Sequence, residues 1–136
     1  MAKIVALDVG AKRTGIAESD PMHIMAFPLE TVATDSLFSF LQGRQAVEPI
    51  EELVVGAPLR WDGSPSEVAT FIDGLCAKIE QKWPELRIIR VDERFTSSLA
   101  ADALVKGGMK KSKRQEKGAV DKVAAALILE NYLAQR

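Results

Sequence analysis

The sequence predicts an α/β fold in which a mixed five-stranded sheet carries helices packed against it. Three observations lead there. Short apolar runs bounded by turn residues recur at residues 4–7, 52–55 and 86–91 and read as buried strands. Segments with apolar residues at helical spacing stand between the later runs. The first three strand-like segments, by contrast, are joined only by short turns. The element order is therefore β-β-β-α-β-α-β-α-α. Strands joined by short turns form an antiparallel meander, and strands reached through helices run parallel to the first.

Residues 4–7 lead into Asp8-Val9-Gly10, and a glycine-flanked loop over residues 10–15 turns the chain back into a second strand over 14–19. Asp20-Pro21 marks the next turn. Residues 23–31 read as a third strand, with Pro28 suited to a sheet edge. Leu37, Phe40 and Leu41 give residues 35–47 helical spacing. The strand over 52–55 closes at Gly56-Ala57-Pro58, and Asp62-Gly63-Ser64-Pro65 is a loop. Ser66 can cap a helix to about Lys82, with Val68, Phe71, Ile72, Leu75 and Ile79 on its apolar face. After Pro84 come a strand over 86–91 and a helix over about 96–106. Val120, Val123, Ala124, Leu127 and Ile128 then mark a long final helix.

At 136 residues, without an internal repeat or a Pro/Gly-rich linker, residues 1–136 read as one domain. Hydrophobic residues make up 47% and charged residues 27%, which is an ordinary globular balance. No apolar run approaches the roughly 20 residues of a membrane span. The N-terminal residues lack a signal-peptide pattern, and Cys76 is the only cysteine. A cytoplasmic protein is expected, with no membrane partner. Cys76 sits beside a helical apolar stripe and reads as a small core or boundary residue. His23, the only histidine, reads as a strand or turn residue.

The candidate chemistry lies in carboxylates. Asp8 ends the first strand beside a glycine, facing the crevice where α/β sheets bind ligands. Asp92-Glu93-Arg94 ends the last strand in the same way, so both sets of acids should emerge at one sheet edge. Strand neighbours point to opposite faces, and Glu93 is the longer side chain, able to reach across the bare Gly56-Ala57 if the strand ending there lies between the other two. Asp121 is placed in the first turn of the last helix, where the helix dipole alone would account for an acid. Ala124 and Ala125 share its face, however, and small residues there let the helix press against the sheet. Three converging carboxylates repel one another unless a divalent cation intervenes, and oxygen-only ligands favour Mg²⁺ or Mn²⁺. Two such ions about 3.5–4 Å apart would serve phosphodiester cleavage.

Net charge is −1, yet basic residues gather at Lys106, Lys110, Lys111, Lys113, Arg114 and Lys117. Basic runs are commonly solvated loops. Beside the acids, Lys110, Lys111, Lys113 and Arg114 become candidate phosphate contacts, as do Lys12, Arg13 and Arg94. Residues 107–115 have little apolar surface to offset their ordering entropy and are expected to be mobile without substrate.

The stretch Asp8-Val9-Gly10-Ala11-Lys12-Arg13-Thr14-Gly15-Ile16-Ala17 closely resembles the opening motif of the YqgF family, also called RuvX-like or Holliday-junction-resolvase-like. Val54-Val55-Gly56-Ala57-Pro58-Leu59, Asp92-Glu93-Arg94-Phe95-Thr96-Ser97 and Lys117-Gly118-Ala119-Val120-Asp121-Lys122-Val123-Ala124-Ala125 resemble its later motifs, in order. The resemblance implies a ribonuclease H-like fold with strand order 3-2-1-4-5. It implies a nuclease that matures the 5′ end of precursor 16S rRNA during ribosome biogenesis, with Asp8, Glu93 and Asp121 as metal-holding catalytic acids. An older assignment within the family is cleavage of branched DNA. The loop Arg60-Trp61-Asp62-Gly63 departs from the family pattern, which has a smaller polar residue and a methionine before Asp-Gly.

Two other functions share some of these features. Asp-x-Gly followed by Thr-Gly on a hairpin also resembles the phosphate-binding turn of actin-like and sugar-kinase ATPases. That arrangement needs a second similar domain, for which this length leaves no room. A non-catalytic RNA-binding assembly factor would use the basic loop alone, but it would have no use for three aligned acids that repel RNA.

Overall fold

The computed structural model describes residues 3–57, 67–92 and 117–135. The strands are β1 (Lys3–Val9), β2 (Arg13–Ser19), β3 (Ala26–Ala33), β4 (Ile50–Ala57) and β5 (Arg87–Asp92). A 3-10 turn at Thr34–Ser36 leads into α1 (Leu37–Val47). Helix α2 (Glu67–Lys82) joins the last two strands, and a further helix, α3 (Lys117–Gln135), closes the described chain. The expected helix over 96–106, the loop around Arg60-Trp61 and the basic segment 107–115 lie outside the described residues.

The five strands form one sheet in the order β3-β2-β1-β4-β5. Strands β1, β2 and β3 pair antiparallel, and β1-β4 and β4-β5 pair parallel. This is the mixed sheet expected from the connections.

Both sheet faces are covered, and alternation along each strand decides what each face receives. Val5, Leu7 and Val9 of β1 join Leu53 and Val55 of β4 in a core with Leu37, Leu41, Ile72, Leu75 and Ile79 of α1 and α2. Ile4 and Ala6 join Val54, Ile89 and Val91 in a second core with Ala125, Ile128 and Leu129 of α3. The even positions of β1 therefore face α3, and Asp8 is the next even position. Cys76 is buried with the first core, and that burial pushes its thiol above the ordinary range, the wrong direction for a nucleophile.

Some element boundaries differ from the sequence expectation. Strand β3 begins at Ala26 rather than at residue 23, because the Asp20 carboxylate accepts from the backbone N–H groups of Ile24 and Met25 at 2.7 and 2.8 Å. Those bonds hold the preceding residues in a turn, where His23 takes a left-handed φ of 58°. Helix α3 begins at Lys117, so Asp121 stands just beyond the first turn rather than in it. The dipole effect fades within that turn, which weakens it as the reason for an acid there.

Candidate active site

Asp8 is 9% exposed and lies level with Gly15 of β2 on one side and Gly56 of β4 on the other. Neither neighbour has a side chain, so the sheet is bare on both flanks of the carboxylate. Above this face runs α3, whose Ala124 and Ala125 are fully buried. Small residues on sheet and helix thus let two backbones approach around a single acid. The sequence points to Gly56 as a bare neighbour. Gly15 reads there only as a turn residue, because its register opposite Asp8 depends on the hairpin geometry.

The turn beyond Asp8 is tightly built. Gly10 N–H donates to the Arg13 carbonyl at 2.9 Å. A Cβ at Gly10 would stand 2.7 Å from that same carbonyl oxygen, so the turn requires glycine. Thr34, distant in sequence, closes the structure from outside. Its hydroxyl donates to the Gly10 carbonyl at 2.7 Å and lies 3.0 Å from the Thr14 hydroxyl. Its N–H donates to the Lys12 carbonyl at 2.9 Å. Thr14 and Thr34 are both buried. Lys12 is exposed at the turn and Arg13 half-buried, so the two basic residues sit directly past the acid. On the α1–α2 side of the turn, Gly10, Ala11, Thr34, Asp35, Val68 and Phe71 line a shallow recess.

At the far strand, Val91 lies level with Gly56 and Asp92 with Ala57. Strand β4 therefore separates the ends of β1 and β5, as the sequence argument requires. Glu93, Arg94, Lys110, Lys111, Lys113 and Arg114 are outside the described residues, and Asp121 is placed only as a backbone position on α3. Among the described residues no three His, Cys, Asp or Glu side chains gather as a metal cluster. The expected set comprises Asp8, Glu93 and Asp121. Its chemistry is oxygen-only, which fits Mg²⁺ or Mn²⁺, and Asp8 supplies it with a nearly buried carboxylate between two glycines.

The family described as "RuvX: Holliday junction resolvase" matches residues 2–135. The chain belongs to the RuvX family. Among its RuvX relatives, one from Flavobacterium johnsoniae is 40% identical over 136 residues, covering 100% of this chain and 99% of the relative. Another, from Christiangramia forsetii, is 42% identical over 133 residues, covering 98% of each. Both are named as candidate pre-16S rRNA nucleases. Among solved structures, T. thermophilus RuvC in complex with a Holliday junction substrate superposes with a TM-score of 0.64. It is 14% identical, with coverage of 99% of this chain and 96% of that one. A fowlpox virus resolvase with its junction DNA matches at a TM-score of 0.58 and 13% identity, covering 98% of this chain and 97% of that one. These likenesses establish the ribonuclease H-like fold of this RuvX chain. No helix among the described residues is long and apolar enough to cross a membrane.

Proposed function

We propose that this RuvX-family chain is a cytoplasmic, metal-dependent nuclease that hydrolyses phosphodiester bonds in the precursor of 16S rRNA. The observation that carries the reading is Asp8, nearly withdrawn from solvent at the sheet edge and flanked by Gly15 and Gly56. The bare flanks leave room beside this carboxylate for a divalent cation, the kind of ion that carboxylate oxygens hold. The names of the relatives support RNA as the substrate.

In this reading Asp8, Glu93 and Asp121 hold Mg²⁺ or Mn²⁺. The alternation that puts Ile89 and Val91 on the α3 face supports Glu93, rather than Asp92, as the acid supplied by the last strand. Such an ion, when bound, would supply Lewis acidity and a water of lowered pKa. The residues of the chain do the rest. The acids fix where the scissile phosphate sits, and the bare flanks of Asp8 leave it room. Lys12 and Arg13 hold the sugar-phosphate backbone beside the acid, with Arg94, Lys110, Lys111, Lys113 and Arg114 extending that grip.

The test is incubation of the pure protein with precursor 16S RNA and with a matched four-way DNA junction, in Mg²⁺, Mn²⁺ or EDTA. Cleavage of the RNA that EDTA abolishes is expected. Cleavage of the junction alone would move the substrate to branched DNA, and binding without cleavage of either would leave an assembly factor. Asp8→Asn nearly preserves shape while removing the charge. It is expected to fold normally and to lose cleavage, and full activity in that variant would overturn the site.

A further inference from the structure

Helix α3 meets the sheet largely through apolar contacts. Ala124, Ala125, Ile128 and Leu129 are all buried, and the helix packs over β1, β2 and β3. Apolar burial is strong but non-directional. Burial of this kind fixes the position of a helix along its own axis less sharply than a hydrogen bond of set length does. The distal part of α3 carries a contact of another kind. The Tyr132 hydroxyl donates to Glu52 Oε1 at 2.5 Å, and Arg87 Nη1 stands 3.6 Å from the same oxygen. Glu52 is only 2% exposed. A carboxylate at that depth is costly unless its partners stay in place. Sliding α3 by one turn, about 5.4 Å, would take the hydroxyl away from it. This pair therefore selects one axial position of the helix.

Lengths along the two elements connect this contact with the site. Tyr132 follows Asp121 by eleven residues, close to three full turns, so both fall on one face of α3 about 16 Å apart. Gly56, which pairs with Asp8, follows Glu52 by four residues, about 13 Å along β4. Measured from the Glu52–Tyr132 contact, strand and helix span comparable distances to the levels of Asp8 and Asp121.

We propose that Glu52 and Tyr132 form an axial stop for α3 that sets the height of Asp121 against Asp8 and so tunes the metal affinity of the site. Both are positioning residues, about 16 Å along α3 and about 13 Å along β4 from the levels of the acids. The proposal rests on the reading of Asp8 and Asp121 as metal-holding acids.

The experiment uses the full chain with Tyr132→Phe, Glu52→Gln and the double variant. Phenylalanine keeps the ring and its packing, and glutamine keeps an acceptor for the Tyr132 hydroxyl. Four quantities are measured: Mn²⁺ affinity of the RNA-free protein by electron paramagnetic resonance, thermal midpoint, and kcat and KM on precursor RNA at fixed Mg²⁺. Tyr132→Phe is expected to stay folded, to bind Mn²⁺ about 10-fold more weakly and to lose kcat in step, with KM for RNA unchanged. Glu52→Gln should fall less than Tyr132→Phe, and the double variant should fall no further than Tyr132→Phe alone. A merely structural contact would lower the thermal midpoint and leave the Mn²⁺ affinity of the folded protein alone, and that result in both single variants overturns the proposal. Failure of the underlying reading shows differently. Wild type would then bind no Mn²⁺, or Asp8→Asn would bind it as tightly as wild type, and the axial stop would fall together with the site it serves.

Discussion

The two hairpin turns of the meander solve one problem in opposite ways. The turn between β1 and β2, just past Asp8, is held from outside: Thr34 donates through its hydroxyl to the Gly10 carbonyl and through its N–H to the Lys12 carbonyl. The turn between β2 and β3 is held from within. The Asp20 carboxylate accepts from Ile24 and Met25, and His23 N–H donates to the Asp20 carbonyl at 3.0 Å. The first turn is tied into the buried structure by hydrogen bonds, whereas the second makes these hydrogen bonds within itself, brings His23 Nε2 to 3.7 Å from Glu51 Oε2, and leaves Met22, Ile24 and Met25 exposed. In the proposed site the first turn must hold Asp8 and two basic residues in fixed relation, which takes contacts that reach the rest of the fold. A turn that only reverses the chain does not need them.

The comparison breaks most readily at Gly10. Any side chain there meets the Arg13 carbonyl at 2.7 Å, and the colliding atom is backbone, so the turn itself must shift. Gly10→Ala is expected to cost about 1–3 kcal/mol of stability by overpacking. It should also lower cleavage about 100-fold by misplacing groups at the site. Urea unfolding and single-turnover cleavage measure the two effects. Wild-type cleavage in a folded Gly10→Ala protein would show that the turn geometry is irrelevant to the site.

Thr34→Val is the next test, because it removes only the hydroxyl that reaches the turn. The Gly10 carbonyl then loses its donor, at a cost of about 1–3 kcal/mol. A fall in cleavage of roughly 10-fold is expected, smaller than for Gly10→Ala because the backbone bond from Gly10 N–H to the Arg13 carbonyl survives. Thr34→Ser keeps the hydroxyl and should retain activity. Equal losses in the valine and serine variants would mean that packing, and not the hydrogen bond, is what Thr34 contributes.

The same contrast explains what is legible in the sequence. Strand existence and the mixed sheet follow from apolar runs and connection lengths, which are local signals, and the position of β4 between the ends of β1 and β5 comes from the family resemblance. Asp8 is legible because a polar residue interrupts a buried strand beside a glycine. Thr34 is not, because its partner Gly10 lies 24 residues away and nothing local marks the pairing. The Glu52–Tyr132 bond spans 80 residues and is equally invisible, although a glutamate opening an otherwise apolar buried run is an available hint. The late start of β3 escapes the sequence for the reverse reason. Residues 23–25 have strand-like character, but Asp20 competes for their backbone N–H groups and wins.

A milder test separates the turn as scaffold from the turn as phosphate grip. Lys12 is exposed at its tip, so Lys12→Ala should leave stability near wild type. Binding to unrelated RNA sequences should weaken about equally, since phosphate contacts carry no base information. The slope of log affinity against log salt should become shallower by roughly 0.7 on single-stranded RNA. Replacing Lys110, Lys111, Lys113 and Arg114 together should flatten it by roughly 0.7 for each phosphate that is no longer neutralised. A salt titration in the presence of Ca²⁺, if that ion does not support cleavage, gives both slopes. An unchanged slope for Lys12→Ala would restrict the first turn to its structural part.

The smallest effect belongs to the second turn. Hydrogen bonds from the Met25 and Ile24 backbone hold the Asp20 carboxyl below its ordinary value of 3.8, against a smaller opposing effect of desolvation. The folded-state value is depressed, so the contribution of Asp20 is present above the unfolded value and is lost as pH falls through the folded one. It therefore disappears only in acid below about pH 3.8, well away from neutral conditions. The backbone amide resonances of Ile24 and Met25 should report this, moving together with a midpoint below 3.8. In Asp20→Ala the same two amides should exchange faster with solvent. Cleavage, Mn²⁺ affinity and the exchange of residues 10–13 should stay at wild-type values, because the hydrogen bonds of the Asp20 carboxylate run within its own turn. A titration midpoint at or above the ordinary value would remove the carboxylate as the holder of the turn. A loss of cleavage in Asp20→Ala would instead show that the two turns are coupled through β2, and that the second is not the closed unit its hydrogen bonds describe.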